Sequence, residues 1–299
     1  MKNILDLIGN TPLVELKNIN EKYKLKSKIF AKLELNNPTG SVKDRTAYKI
    51  ITDAINKDIL KQGDTIIEAS SGNMGISLSF VGKEKGYQVI VVMPDNMSLE
   101  RRKMIQEQGA QIILTEGSKG MQGSIDKLKE IIQKNNTIKY LDQFNNINTK
   151  LAHHVTGQEI VKQLPNIDIF INGFGTGGTL SGVAEVLKQY NNEIKVIGIE
   201  PSLSPLITKG YASYHGIQGI GANFIPSILN QNVIDEYMTV DDKDAYYYKK
   251  ELFIEENIFS GISAGANLKI AIDIAKKEEN KNIVIIIPDK GDRYYSNNI

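Results

Sequence analysis

Seven short runs of apolar, mostly β-branched residues recur along the chain and alternate with longer segments of helical periodicity. The runs cover residues 64–70, 88–94, 110–116, 138–144, 168–174, 195–201 and 282–288. Their hydrophobicity is nearly continuous, which is typical of parallel strands that are covered on both faces. Helical patterns such as those of residues 97–109 and 179–190 lie between most of them. The alternation predicts an α/β fold with open, mostly parallel sheets flanked by helices.

The spacing of the runs also predicts how the chain is divided. Strands between residues 64 and 116 would form a smaller unit, and strands from residue 168 onward a larger one. In open α/β sheets, ligands bind beyond the carboxyl ends of the strands, at loops that lead into helices. Candidate chemistry is therefore expected in those loops.

Composition excludes several classes of function. The 36 basic and 35 acidic side chains nearly balance, so nothing favours nucleic acid or an anionic membrane as a partner. The absence of cysteine excludes disulfides, thiolate metal sites and a cysteine nucleophile. Residues 1–13 are too polar for a secretory signal, and no apolar run reaches membrane-spanning length. A soluble cytoplasmic protein is expected.

A glycine-rich loop, GFGTGGTLSG at residues 173–182, follows one predicted strand and opens a helix. Backbone N–H groups of such a loop can close around a phosphate, and the helix dipole adds attraction. Gly173, Gly175 and Gly178 also satisfy G-x-G-x-x-G, and Glu200 ends the next strand, so a dinucleotide site remains an alternative. A phosphate-binding loop is favoured over a plain strand-to-helix turn.

Two further loops occupy equivalent places. In EASSGNMG, residues 68–75, hydroxyl and amide donors accompany free backbone N–H groups, a combination suited to a carboxylate. An ordinary N-cap explains this loop equally well. In FSGISAGAN, residues 259–267, Ser263 is either a helix cap or a hydrogen-bond partner of a ligand's ring nitrogen.

Lys43 is the long amine in an otherwise small and turn-forming stretch, NNPTGSVKDR at residues 36–45. It is either a solvated lysine at a helix start or a lysine held for covalent chemistry. Asp44 and Arg45 follow it, but on a helix such neighbours point elsewhere. A Schiff base requires a desolvated amine of this kind. Together, the three loops and Lys43 fit a cofactor that carries one phosphate and one aldehyde.

The motifs occur in an order that resembles the cysteine synthase (O-acetylserine sulfhydrylase) and cystathionine β-synthase family of pyridoxal-phosphate enzymes. The matching stretches run nearly end to end: IGNTPLV (8–14), LELNNPTGSVKDR (33–45), EASSGNMGI (68–76), MPDNMSLERR (93–102), DQFNN (142–146), GFGTGGTLSG (173–182), HGIQGIGANFIP (215–226), GISAGA (261–266) and PDKGDRYYS (288–296). The resemblance implies the tryptophan synthase β-like architecture of fold type II enzymes and a homodimer. It also implies a smaller mobile domain, residues 38–142, which closes over the substrate, and a larger phosphate-binding domain, residues 1–37 plus 143–299.

The resemblance further implies a role for each site residue. Lys43 is similar to the Schiff-base lysine, Asn73 to the residue that bonds the cofactor's 3-oxygen, and Ser263 to the residue that faces the pyridine nitrogen. The phosphate loop is similar at Gly175, Thr176, Gly177, Gly178 and Thr179. The implied substrate-binding residues are Ser70, Ser71, Met74, Gln143, Gly219, Ala222 and Asn223. No metal is expected.

The implied reaction is a pyridoxal-phosphate-dependent β-replacement on a 3-substituted L-alanine through an α-aminoacrylate, with Lys43 removing the Cα proton. L-cysteine or O-acetyl-L-serine would be the first substrate, and sulfide the nucleophile or the released product. Ser70 and Met74 stand where the family commonly has threonines, and Asn223 where it has glycine or aspartate. These departures leave open a lyase or lanthionine synthase that consumes L-cysteine, releases hydrogen sulfide and takes a second amino acid.

Two other classes remain as alternatives. A nicotinamide-dependent oxidoreductase would use the G-x-G-x-x-G match, but it leaves Lys43 without a role. A catalytically idle scaffold is disfavoured because Lys43, Asn73, the phosphate loop and Ser263 are all intact. For His153 and His154, which lie on a predicted helix, a structural or surface role is favoured over metal ligation.

Overall fold

The computed structural model of the protein describes residues 3–70, 72–135 and 137–297, and within these ranges ten strands form two separate sheets. The strands are β1 (Leu13–Glu15), β2 (Lys28–Lys32), β3 (Thr65–Ala69), β4 (Gln88–Pro94), β5 (Gln111–Thr115), β6 (Ile138–Tyr140), β7 (Ile169–Gly173), β8 (Lys195–Pro201), β9 (Glu236–Val240) and β10 (Asn282–Ile286). The larger sheet has the order β1-β2-β10-β7-β8-β9, and the smaller has the order β5-β4-β3-β6. Only the β1–β2 pair is antiparallel among these strands.

Helices cover both faces of each sheet. They are α1 (Lys17–Lys22), α2 (Lys43–Asn56), α3 (Asn73–Glu84), α4 (Leu99–Glu107), α5 (Gly120–Lys134), α6 (Asn148–Leu151), α7 (His154–Gln163), α8 (Gly178–Tyr190), α9 (Leu206–Lys209), α10 (Asp242–Glu256) and α11 (Ile262–Ala275). Short 3₁₀ helices span Ile4–Leu7, Glu34–Asn36, Gly117–Lys119, Gln231–Val233 and Gly291–Asn297. No helix in the described part of the chain is both long enough and apolar enough to cross a membrane.

Alternate side chains of each central strand pack into cores on opposite sides. In β7, Ile169 and Ile171 join the core beneath α10 and α11, whereas Phe170 joins the core beneath α7 and α8. In the smaller sheet, Ile66 packs towards α2 and α3, and Ile67 packs towards α5. Because both faces are buried, both sets of positions must be apolar, which accounts for the continuous runs in the sequence.

The predicted fold class is confirmed, and each of the seven predicted runs contains a parallel strand. The run at 138–144 was predicted too long: β6 ends at Tyr140 because the chain turns at Asp142, whose φ of 51° lies in the left-handed region. Strands β1, β2 and β9 were not predicted. They mix charged with apolar residues, as expected for strands at or near the edges of a sheet.

The strands of the smaller sheet fall between residues 65 and 140, and those of the larger sheet fall before residue 33 or after residue 168. After β2 the chain therefore leaves the larger sheet, builds the smaller one, and returns. The first residues of α2 and α3, Lys43 and Asn73, both lie beside strand ends of the larger sheet.

Candidate active site

A cavity of about 530 Å³, open to solvent, lies beyond the carboxyl ends of β7 and β10 and against the first turns of α2, α3, α8 and α11. The structure brings together here all but one of the residues expected to hold the cofactor: Lys43, Asn73, Gly175, Thr176, Gly177, Thr179 and Ser263. The remaining residue, Gly178, begins α8 directly behind them. This position beyond the strand ends is the one expected for a ligand site in an α/β sheet.

The chain before Lys43 is fastened to the segment that follows β10. Ser41 forms an antiparallel bridge with Asp289, and the Val42 N–H donates to the carbonyl oxygen of Pro288 at 2.8 Å. Lys43 is the first residue of α2, so these contacts fix where its side chain enters the cavity.

The two charged residues after Lys43 have partners elsewhere, as predicted. The Asp44 carboxylate accepts from the Thr39 N–H at 2.7 Å and from the Ser77 hydroxyl at 2.6 Å. The Arg45 guanidinium donates to the carboxylate of Glu34 on the opposite side of the helix start. Neither group therefore pairs with the Lys43 amine.

Burial lowers the pKa of Lys43 to about 8, although the negative charge of Asp289 acts in the opposite direction. Within the described residues, no side chain forms a hydrogen bond or an ion pair with the Lys43 Nζ. With this pKa about a tenth of the amines are neutral at pH 7, compared with far less than one in a thousand for an ordinary lysine. The side chain is thus a desolvated amine suited to attack an aldehyde or to accept a proton.

The glycine-rich loop is packed so closely that side chains cannot fit. A Cβ atom at Gly175 would lie 2.7 Å from the carbonyl oxygen of Gly219, and one at Gly178 would lie 2.6 Å from that of Thr149. Gly177, the N-cap of α8, has a φ of 80°, which glycine adopts without strain. The Gly178 N–H donates to the Thr176 hydroxyl oxygen at 3.3 Å, and the start of α8 borders the cavity, an arrangement that suits a phosphate.

A buried histidine, His153, contacts this loop at Thr179. The His153 Nε2 lies 3.3 Å from the hydroxyl oxygens of both Thr46 and Thr179, and its Nδ1 lies 3.2 Å from that of Thr156. Burial holds the pKa of His153 well below its usual value, so the ring is neutral. Of the structural and surface roles that the sequence left open, these contacts indicate the structural one. His154 instead bonds the Glu185 carboxylate at 2.8 Å.

No group of three or more His, Cys, Asp or Glu side chains within the described ranges is arranged to hold a metal ion.

Asn73, the first residue of α3, has both ends of its amide engaged. Its Nδ2 donates to Asp289 Oδ2 at 2.7 Å, and its Oδ1 accepts from Arg293 Nη1 at 2.7 Å. Sequence reasoning missed Asp289 and Arg293. They belong to the stretch PDKGDRYYS, which carried part of the resemblance but was assigned no role. Across the cavity, Ser263 lies in the first turn of α11.

The expected substrate-binding residues of the smaller sheet lie outside the cavity lining. The Ser70 hydroxyl oxygen accepts from the Gly75 N–H at 3.0 Å, so Ser70 caps the start of α3. Gln143 Nε2 donates to the carbonyl oxygen of Ala69 at 3.3 Å. The side chain of Met74 is buried in the core beneath α2 and α3, and only its backbone is available at the helix start. Ser71 lies outside the described residues.

The expected substrate-binding residues of the loop 219–223 divide between two cavities. Gly219 lines the large cavity, whereas Ala222 and Asn223 line an adjacent one of about 260 Å³. Asn223 has a φ of 62°, and its Oδ1 accepts from the Ser204 hydroxyl at 3.0 Å.

The carboxylate required by the dinucleotide alternative is already engaged. Glu200 accepts hydrogen bonds from the N–H groups of Ile207 and Thr208 at 2.8 and 3.0 Å, and it thereby caps α9. Its oxygens are not free to bind a ribose hydroxyl pair, so the geometry gives this alternative no support.

Comparison with known proteins places this geometry in context. Residues 4–289 match the family described as "Pyridoxal-phosphate dependent enzyme". Cysteine synthase B of Campylobacter jejuni is 46% identical over 300 residues, covering 100% of this chain and 98% of that protein. The structure of a cysteine synthase (OASS) from Entamoeba histolytica has a TM-score of 0.96 and 40% identity, covering 99% of this chain and 89% of that one. The structure of a hydrogen sulfide-producing enzyme from Fusobacterium nucleatum has a TM-score of 0.94 and 40% identity, covering 98% of this chain and 99% of that one.

Proposed function

The chain belongs to the family of pyridoxal-phosphate-dependent enzymes, and on that premise we propose that it catalyses a cysteine synthase-like β-replacement. The resemblance inferred from the sequence motifs is thereby confirmed at the level of the family. The observation that carries the proposal is the placement of a desolvated Lys43 amine and a glycine-lined helix start, Gly175–Gly178, in one cavity.

The residues present fit pyridoxal 5'-phosphate. The close-packed glycines and the N–H groups at the start of α8 suit the phosphate, and Thr176 and Thr179 add hydroxyl donors. Lys43 would hold the aldehyde and Ser263 the pyridine nitrogen. Asn73 would hold the 3-oxygen through its second Nδ2 hydrogen, since the first is donated to Asp289. The bound cofactor supplies one chemical capacity: its ring withdraws electrons from the Cα of an attached amino acid.

Ser263 bears on the outcome of the reaction. A hydroxyl carries no negative charge, so it cannot stabilise a protonated pyridine nitrogen as a carboxylate would. Electron withdrawal is then weaker, which favours loss of a group from Cβ over full transfer of the amine.

Lys43 is proposed to move the proton. With a pKa of about 8, its amine can accept the Cα proton near neutral pH and return it after the new bond to Cβ has formed. Val42, Phe174 and Ile220 give the cavity apolar walls beside this step.

The substrate carboxylate is proposed to bind at the start of α3, with Ser70, Ser71, Gln143 and the backbone of Met74. The Ser70 oxygen is used as a helix cap, but its hydroxyl proton remains available for donation. Ser70 and Met74 border the smaller sheet and stand back from the cavity. Their position supports the proposal that residues 38–142 form a domain that moves towards residues 1–37 plus 143–299 when substrate binds.

O-acetyl-L-serine with sulfide as nucleophile is the favoured substrate pair, because the similar proteins include two cysteine synthases. L-cysteine as first substrate is the second candidate, supported by the similarity to a hydrogen sulfide-producing enzyme. Asn223 supports it as well, since its neutral amide beside the cavity can orient a polar second amino acid.

The test is to incubate the cofactor-loaded protein separately with O-acetyl-L-serine plus sulfide and with L-cysteine alone. Amino-acid products are followed by mass spectrometry and sulfide by a colorimetric assay. Cysteine from the first mixture supports the favoured pair, and sulfide plus lanthionine from the second supports the alternative. No product from either mixture contradicts the proposed function.

We also propose that the chain forms a homodimer in the cytoplasm. Phe253, Phe259 and Tyr295 form an exposed aromatic series with ring centroids 5.8 Å apart, and such a surface is commonly covered by another protein surface. Light scattering coupled to size exclusion should give twice 33.3 kDa, and cell fractionation should place the protein in the cytoplasm. A mass of 33.3 kDa contradicts the dimer.

A further inference from the structure

Asp289 is a buried carboxylate that borders the cavity and lies shortly after the end of β10 at Ile286. Its Oδ2 accepts from Asn73 Nδ2 at 2.7 Å and from the Tyr294 hydroxyl at 2.6 Å. Its Oδ1 has no hydrogen-bond partner among the described residues. That oxygen lies against Gly261, where any Cβ atom would collide with it.

A buried carboxylate in this position destabilises the folded protein unless another group stabilises its charge. Removing a carboxylate from water is unfavourable, and an oxygen left without a donor adds to the cost. Part of the cost is offset because Gly261 is the N-cap of α11, whose positive end favours a nearby anion. No ion pair to this carboxylate is found within the described ranges, although Lys43 and Lys249 are both close enough for its charge to act on them.

We propose that Asp289 is a positioning residue of the site, which supplies the counter-charge to the Lys43 amine and sets the direction of the Asn73 amide. The proposal rests on the proposed function. When Lys43 accepts the Cα proton, its Nζ becomes an ammonium inside a cavity with no other carboxylate in its described lining. Asp289 stabilises that ammonium without taking the proton itself.

Other groups around Lys43 and Asp289 leave this role to Asp289. His153, from α7, is neutral, since burial and nearby cations hold its pKa well below the usual value. Tyr294 is protonated, because burial and Asp289 raise the pKa of its hydroxyl. Arg293 donates to the Asn73 amide oxygen, and the charge of Asp289 acts on Lys249. The Asp44 carboxylate is held by Thr39 and Ser77, so Asp289 is the charge that acts on Lys43 among the described residues.

The test measures Lys43 in the protein freed of cofactor, so it does not depend on turnover. The amines are labelled with a short pulse of acetic anhydride between pH 6 and 10, and the modification of Lys43 is quantified by peptide mass spectrometry. In Asp289→Asn, which keeps a hydrogen-bond acceptor and removes the charge, the labelling midpoint should fall by about one pH unit. At pH 7 the Lys43 of the variant should then be labelled about fivefold faster.

Asp292→Asn is the matched control. It removes an equal charge three residues away, but its side chain is 43% exposed and pairs with Arg293. Its labelling midpoint should match that of the wild-type protein. If Asp289→Asn fails to fold, Asp289→Ser makes the same charge change with a smaller side chain.

An unchanged Lys43 midpoint in the folded Asp289 variant would overturn the proposal, as would an equal shift in Asp292→Asn. Failure of the wild-type holoenzyme to form any replacement product is a different result. It would contradict the proposed function and leave the labelling comparison intact.

Discussion

Replacing Gly177 with alanine should weaken binding of pyridoxal phosphate by about 10- to 100-fold. Gly177 has a φ of 80°, and an alanine forced into this region costs about 1–2 kcal/mol. The new Cβ would also lie 2.9 Å from the Leu229 Cβ and 3.1 Å from the Leu229 Cα. Because Leu229 is buried in the core beneath α8, the loop must shift.

The affinity estimate follows from the hydrogen bonds that the shift would break. N–H groups at the start of α8 are placed to donate to a phosphate, and a hydrogen bond to a charged group is worth about 1.5–3 kcal/mol. Loss of one such bond corresponds to a factor of about 10 to 100 in affinity, since each 1.4 kcal/mol is about tenfold.

The assay is a fluorescence titration of the cofactor-free protein, first with pyridoxal phosphate and then with pyridoxal, which lacks the phosphate. Affinity for pyridoxal should change little, because the loop is proposed to bind the phosphate, which pyridoxal lacks. Gly210→Ala is the matched control: Gly210 has a φ of 77° but no atom within 4 Å of its Cβ position, so it carries similar strain away from the cavity. Wild-type affinity in Gly177→Ala, or an equal loss in Gly210→Ala, would refute the assignment of the loop.

Three further changes test other parts of the site. Lys43→Ala should lower product formation below detection because it removes the only amine in the described cavity lining; a variant with full rate would contradict its role. Glu68→Gln should raise the melting temperature at pH 8 but not at pH 4. Burial and the charge of Asp142 raise the pKa of the Glu68 carboxyl well above the usual value. The wild-type free energy of unfolding therefore falls as the pH rises from about 4.3, the pKa in the unfolded chain, towards the raised pKa of the folded protein. Equal gains in melting temperature at pH 4 and pH 8 would contradict this linkage. Asn223→Gly should lower lanthionine formation from L-cysteine more than cysteine formation from O-acetyl-L-serine, measured by mass spectrometry, and parallel losses would show that Asn223 does not select the second substrate.

The cofactor-facing part of the site could be predicted from local sequence. The glycines of 173–182 run from the last residue of β7 into the first turns of α8, so a strand end, a tight loop and a helix start are all encoded within that short stretch. Lys43 could be predicted for a similar reason, since the bend of 36–42 precedes a clear helical pattern.

Contacts between distant segments could not be predicted in this way. Asn73 and Asp289 are 216 residues apart, and Asn73 and Arg293 are 220 apart, yet each pair is joined by a hydrogen bond of 2.7 Å. Only the packing of the segment after β10 between α2, α3 and α11 brings them together. For His153 the sequence left a structural and a surface role open, because its burial depends on contacts with the distant residues Thr46 and Thr179.

The most direct measurement locates the covalent link between protein and cofactor. The cofactor-loaded protein is reduced with sodium borohydride and digested, and the peptides are analysed by mass spectrometry. A phosphopyridoxyl group on Lys43, with loss of the visible absorbance on reduction, is the predicted result. The same group on another lysine, such as Lys249, or no modified peptide from a protein saturated with pyridoxal phosphate, would contradict the account.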